Sequence, residues 1–119
     1  MIRVSHRQLD ALHAERRNAF HDRLRADILA FMGRAAPDTR PEEVTARIAA
    51  ALGQADGHGM VTEQQITRYA YILAAFPLDH RRREEFAWLG EVLDGPSPAD
   101  LRLDQVTAAL TRTAPETGR

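Results

Sequence analysis

The stretch GHGMVTEQQITRYAYILAAFPLD, residues 57–79, decides how the rest of the chain is read. Thr62, followed three residues later by Gln65, forms a capping box in which each side chain satisfies a backbone donor at a helix start. Ile66, Tyr69, Ala70, Leu73 and Phe76 then recur at helical spacing, with Ile72 widening the stripe. The other face carries one charge, Arg68, among Gln64, Thr67, Tyr71, Ala74 and Ala75. Pro77 ends the run, because proline donates no backbone hydrogen bond and disfavours helical geometry at Phe76. A helix this poor in charge is expected at the centre of a small bundle, with Ile66, Leu73 and Phe76 among the most buried side chains.

Upstream, Ser5 and Gln8 form a second capping box that opens a long helix running to about Met32, with Gly33 as its C-cap. Its apolar positions are Leu9, Leu12, Phe20, Leu24, Ile28 and Phe31, broken at Arg16. Residues 34–40 read as a loop, and Pro41 suits the first turn of a second helix. Glu42 and Glu43 face the positive end of that helix dipole, and Val44, Ile48, Ala51, Leu52 and Ala55 form its buried face. Downstream, Asp79 is expected to cap a fourth helix ending near Asp94. Phe86, Leu89, Val92 and Leu93 share one side of it, and Trp88 lies at the border. Ser97 and Pro98 open a fifth helix carrying Ala99, Leu103, Val106 and Leu110. No strand-like alternation or repeat appears. The expectation is an all-α single domain of about five helices over residues 1–112, with a loose tail at 113–119.

Composition narrows the function classes. A chain of 119 residues without cysteine has no disulfides, no thiolate catalysis and no cysteine-ligated zinc. The net charge of −1 gives no general electrostatic reason for a nucleic-acid or anionic-membrane partner. All 16 basic residues are arginine, which fits a GC-rich genome. The N-terminal segment is charged throughout, without the apolar core of a signal peptide, and no run approaches the roughly 20 apolar residues of a membrane span. These features predict a cytoplasmic protein.

Three constellations bear on chemistry. Aligning Gly59 with the central glycine of a calcium loop puts Gln54, Asp56 and His58 at the first ligand positions and Gln65 at the last. One aspartate cannot replace the hard oxygens and bidentate glutamate that calcium requires, so the loop reads as a plain helix–loop–helix turn. His6, Asp10, His13, Arg17 and His21 fall along one side of the first helix. Successive histidines seven residues apart are about 10 Å apart along the axis, too far to share an ion, so this strip reads as a solvated polar face. His80-Arg81-Arg82-Arg83 opposes a helix dipole and is followed at once by Glu84 and Glu85, giving a mixed-charge surface. No catalytic, cofactor or metal motif stands out.

The order of the remaining motifs resembles a known pattern. Gly59, Thr62, Glu63, Arg68 and Tyr69 are followed by Trp88, Leu93 and Asp94, then by Arg102, Leu103 and Asp104. This succession, from Gly59 to Val106, is similar to a family of small uncharacterised helical proteins encoded in proteobacteria beside type VI secretion effector genes. The chain departs from that pattern in lacking a tyrosine before the loop glycine and in carrying Phe76-Pro77 where a glycine turn is common. The resemblance implies a non-enzymatic accessory role, as adaptor, chaperone or immunity-type binder of an effector, and carries no catalytic residues with it. The alternative reading is a helix-turn-helix DNA-binding regulator built on the loop and central helix. For a protein partner, the expected contact residues are Arg68, Tyr71, Arg81, Arg82 and Trp88, since aromatics and arginines dominate interface hot spots.

Overall fold

The computed structural model describes residues 5–113. It contains α1 (His6–Ala35), α2 (Pro41–Gln54), α3 (Glu63–Ala74), α4 (Ala87–Leu93) and α5 (Ala99–Thr113). No strand occurs among the described residues, and the all-α architecture is the expected one. Thr113, counted above with the tail, is the last residue of α5. The remainder of the expected tail lies outside the described residues.

Both capping boxes form. Ser5 Oγ accepts from the Gln8 N–H at 3.1 Å while Gln8 Oε1 accepts from the Ser5 N–H at 2.9 Å. Thr62 Oγ1 accepts from the Gln65 N–H at 3.0 Å, and Gln65 Oε1 takes the Thr62 and Val61 N–H groups at 3.2 and 2.8 Å.

Other helix ends differ from the sequence reading, each for an identifiable reason. Gly33 does not close α1, which continues to Ala35 before its cap at Ala36. Central α3 stops at Ala74, two residues short of the proline-adjacent Phe76. The Ala74 carbonyl receives Arg47 Nη1 from α2 at 2.9 Å, a side-chain partner for an otherwise orphaned acceptor. Asp79 does not cap a helix. Its carboxylate accepts from Arg83 Nε at 2.8 Å, and residues 80–86 form two 3₁₀ turns with Arg83 extended between them. The α-helix starts only at Ala87, after Glu84 and Glu85 rather than before the arginine triplet, as the dipole favours.

The core draws on every helix. Phe20, Leu24, Ile28 and Met32 of α1 meet Val44, Ile48 and Ala51 of α2; Tyr69, Ala70, Leu73 and Ala74 of α3 lie between. Leu89 and Leu93 of α4 and Leu103 and Val106 of α5 complete it, so α3 packs against α1, α2 and α5 as a central helix should. Leu73 and Phe76 are buried as expected, but Ile66 is only half-buried. Ile66 lines a cleft with Arg17, His21 and Val61, where α1 begins to leave the body. From His6 to Ala19 no side chain is buried, so about 20 Å of helix stands clear of the core as an arm.

Because the Thr62 cap closes a helix start, Thr62→Ala is expected to destabilise the fold by about 1 kcal/mol. Thr67→Ala, inside the same helix, should stay within about 0.5 kcal/mol of wild type. Urea unfolding of both variants measures the difference; equal losses would mean that α3 does not depend on its cap.

Candidate functional site

Two residues of the sequence pattern, Gly59 and Leu93, meet the guanidinium of a third, Arg102. Gly59 closes the turn between α2 and α3 with φ +75°, a left-handed conformation that favours glycine. A Cβ at this position would lie 3.2 Å from Arg102 Nη2. Arg102, in the first turn of α5, donates from Nε to the Ser97 carbonyl at 2.8 Å, from Nη1 to Leu93 at 2.6 Å and from Nη2 to His58 at 2.8 Å. One planar fork therefore ties together the end of α4, the loop into α5 and the turn before α3.

The ring of His58 continues the network. Its Nδ1 lies 2.7 Å from the Tyr69 hydroxyl, and its Nε2 lies 3.0 Å from Asp94 Oδ1 and 3.0 Å from Arg81 Nη2. Neutral imidazole has a single N–H, so Nε2 can donate to Asp94 or accept from Arg81, but not both. When Nε2–H serves Asp94, Nδ1 accepts the Tyr69 proton and Arg81 is left its contact with Asp94 Oδ2 at 3.3 Å. Arg81, and after it His58, hold the Asp94 carboxyl below the usual range by hydrogen bonding to its ionised form.

Aspartate, histidine and hydroxyl in series is the order of a nucleophile relay. Here the hydroxyl end is closed. Tyr69 is fully buried, and burial pushes its phenol up to about 12, so at neutral pH it stays protonated and out of reach of a substrate. The arrangement fastens the turn before α3, α3 itself and the end of α4 together.

The five expected contact residues have separate fates. Arg68 Nη2 pairs with Asp104 at 2.9 Å, linking α3 to α5. Arg81 belongs to the His58–Asp94 network. Tyr71 is half-buried and meets Phe31 of α1 edge-on, with ring centroids 5.5 Å apart. Trp88 packs edge-on against Phe76 at 6.0 Å and also lines a groove of about 630 Å³ between α4 and α5. Arg82 is exposed, and its side chain has no partner among the described residues. No hydrogen bond, ion pair or ring contact joins any two of the five. Sequence reasoning took Tyr69 for an apolar stripe position and His58 for a failed calcium ligand. Neither residue's spacing signals that they would meet.

Two concave surfaces among the described residues bear on binding. The α4–α5 groove is walled by Trp88, Val92, Pro96 and Ala109, and Glu91 is its one charged residue. The second is the cleft at the root of the arm. Burial, and then Arg25 and Arg17, lower the pKa of His21 there, which favours a neutral ring. In comparisons with known proteins no family model matches this chain, and neither a curated protein nor a solved structure does.

Lysine cannot reproduce the three-way fork of Arg102. Arg102→Lys is expected to cost about 3 kcal/mol or more, because charge-assisted bonds contribute roughly 1.5–3 kcal/mol each. Calorimetric melting checks this, and a loss under about 1 kcal/mol would show that the clamp is dispensable.

The raised Tyr69 value gives a pH window. Folding favours the neutral phenol, so its contribution is complete below the ordinary value near 10 and is lost as pH climbs toward about 12. Melting temperature should fall across that window in the wild type. Tyr69→Phe, although less stable at neutral pH, should lose this part of the slope.

Proposed function

We propose that this chain is a non-enzymatic protein–protein interaction module that holds its partner at the α4–α5 groove. The partner in this reading is a secreted effector or a component of its delivery apparatus at a type VI secretion locus. The chain serves it in the cytoplasm as adaptor, chaperone or immunity-type binder. The observation that carries the reading is Trp88. One edge of its indole is fixed against buried Phe76, while the residue lines an open groove of about 630 Å³. An aromatic held rigid on one side loses little entropy when a partner covers the other, which is how interface anchors work.

The arginines fit a division of labour. Arg68 and Arg81 are occupied by Asp104 and Asp94, so they hold the fold, whereas exposed Arg82 is free to steer an acidic partner. The helix-turn-helix alternative is less well supported. Gln65 is engaged in the α3 cap and with Asp100 at 3.2 Å, and Arg68 is paired, which leaves Gln64 to read bases. No helix among the described residues is long and apolar enough to cross a membrane.

The test is titration calorimetry against the purified product of the adjacent gene. Trp88→Ala is expected to weaken binding at least tenfold, about 1.4 kcal/mol. Gln105→Arg, on the opposite wall of the groove and away from Phe76, guards against a folding artefact. Both variants binding as wild type would remove the groove from the interface. No binding by wild type would sink the adaptor and immunity readings together.

A further inference from the structure

We infer that the α4–α5 groove receives the α1 arm of a second copy of this chain, and that reciprocal exchange of arms makes a two-fold dimer. The arm supplies the first half of the argument. His6, His13 and Arg17 lie 18, 11 and 7 residues before Leu24, close to whole numbers of helical turns, so they continue the core-facing side of α1 outward as a polar strip. Leu9 lies on the side of buried Phe20, about three whole turns back, and Leu12 lies further round the helix; the two are 42% and 54% exposed. Arg16 falls between them on the same face, one turn beyond Leu12. The two leucines therefore carry the apolar stripe of α1 on beyond the body. Among the described residues nothing buries either of them, so they form an open apolar face.

The groove supplies the second half. Its walls of Trp88, Val92, Pro96 and Ala109 suit aliphatic side chains, and its volume of about 630 Å³ lies within the usual range of binding clefts. Its one charge is the Glu91 carboxylate, a single turn from Trp88. Neither Glu91 nor Arg16 has an ion-pair partner among the described residues. Two leucines with an arginine one turn on thus face an apolar groove with one carboxylate on its edge. The arm cannot fill its own groove, because α1 is a continuous helix that packs on α2 and α3, while the groove belongs to α4 and α5. Each copy has one arm and one groove, so exchange buries both twice and closes the assembly without leaving an open end.

This dimer fills the groove assigned above to a partner, so arm and partner compete for it; the dimer is tested on the pure chain, so either proposal can still fail alone. Analytical ultracentrifugation of the pure chain is expected to show a monomer–dimer equilibrium in the micromolar range. Leu12→Glu and Glu91→Arg should each shift it at least tenfold toward monomer, and Leu101→Glu, an exposed leucine of α5 outside the groove, should not. Joining Arg16→Glu to Glu91→Arg should restore the dimer by exchanging the charges. Unaltered circular dichroism separates these effects from unfolding. A wild type that stays monomeric at about 100 μM, a dimer indifferent to Leu12→Glu, or a charge exchange that fails to rescue would each overturn the arm-in-groove dimer.

Discussion

Arg102 ends in a guanidinium drawn partly out of water, and three backbone carbonyls from three segments accept from its Nε, Nη1 and Nη2. The consequence reaches well beyond one residue. The His58 carbonyl is available only because Gly59 takes a left-handed turn, and that turn sets where Thr62 begins α3. The Leu93 carbonyl is available because α4 ends there, one residue before Asp94. Removing the guanidinium would leave three acceptors short of donors at once, so the bundle's small half is held by polar geometry as much as by its apolar core.

The fold was legible where local chemistry and tertiary packing agree. Thr62 with Gln65 and Ser5 with Gln8 cap their helices as read, and the stripes of α2, α3 and α5 point inward. It was illegible where a distant group decides. Gly33 had every property of a C-cap, yet α1 passes through it because the chain has no need to turn until Ala36. Asp79 looked like a cap but found Arg83 first. Ile66 stands on the stripe with Leu73, yet it is only half-buried because α1 carries its arm past that point.

The site was less legible than the fold, for a physical reason. Apolar periodicity reports a face, while a polar network depends on which atoms converge in space, and the partners of His58 lie 11, 23 and 36 residues along the chain. The pattern from Gly59 to Asp104 was readable as a pattern. What the structure adds is its job: Gly59 makes room for Arg102, Arg68 holds Asp104, Tyr69 and Asp94 hold His58, and Leu103 is buried. A pattern made of such residues specifies a shape, and a contact surface is sought among side chains the shape does not use. Trp88 packs on Phe76 and still lines the open α4–α5 groove, and Arg82 stands outside the lock.

The same logic explains how a helix can project from so small a body. A lone segment of this length is marginal in water, because the first turn is costly to nucleate. Here the nucleus already exists in the packed half, from Phe20 to Met32, and each residue outward adds a hydrogen bond at little cost. The Ser5–Gln8 box then satisfies donors at the far tip, where fraying would otherwise start. His6, His13 and Arg17 remain solvated on the side that points along the core, so the arm gains little by bending back onto the body. The arm is therefore held out by the same rules that pack the bundle, and Leu9 and Leu12 stay exposed along it.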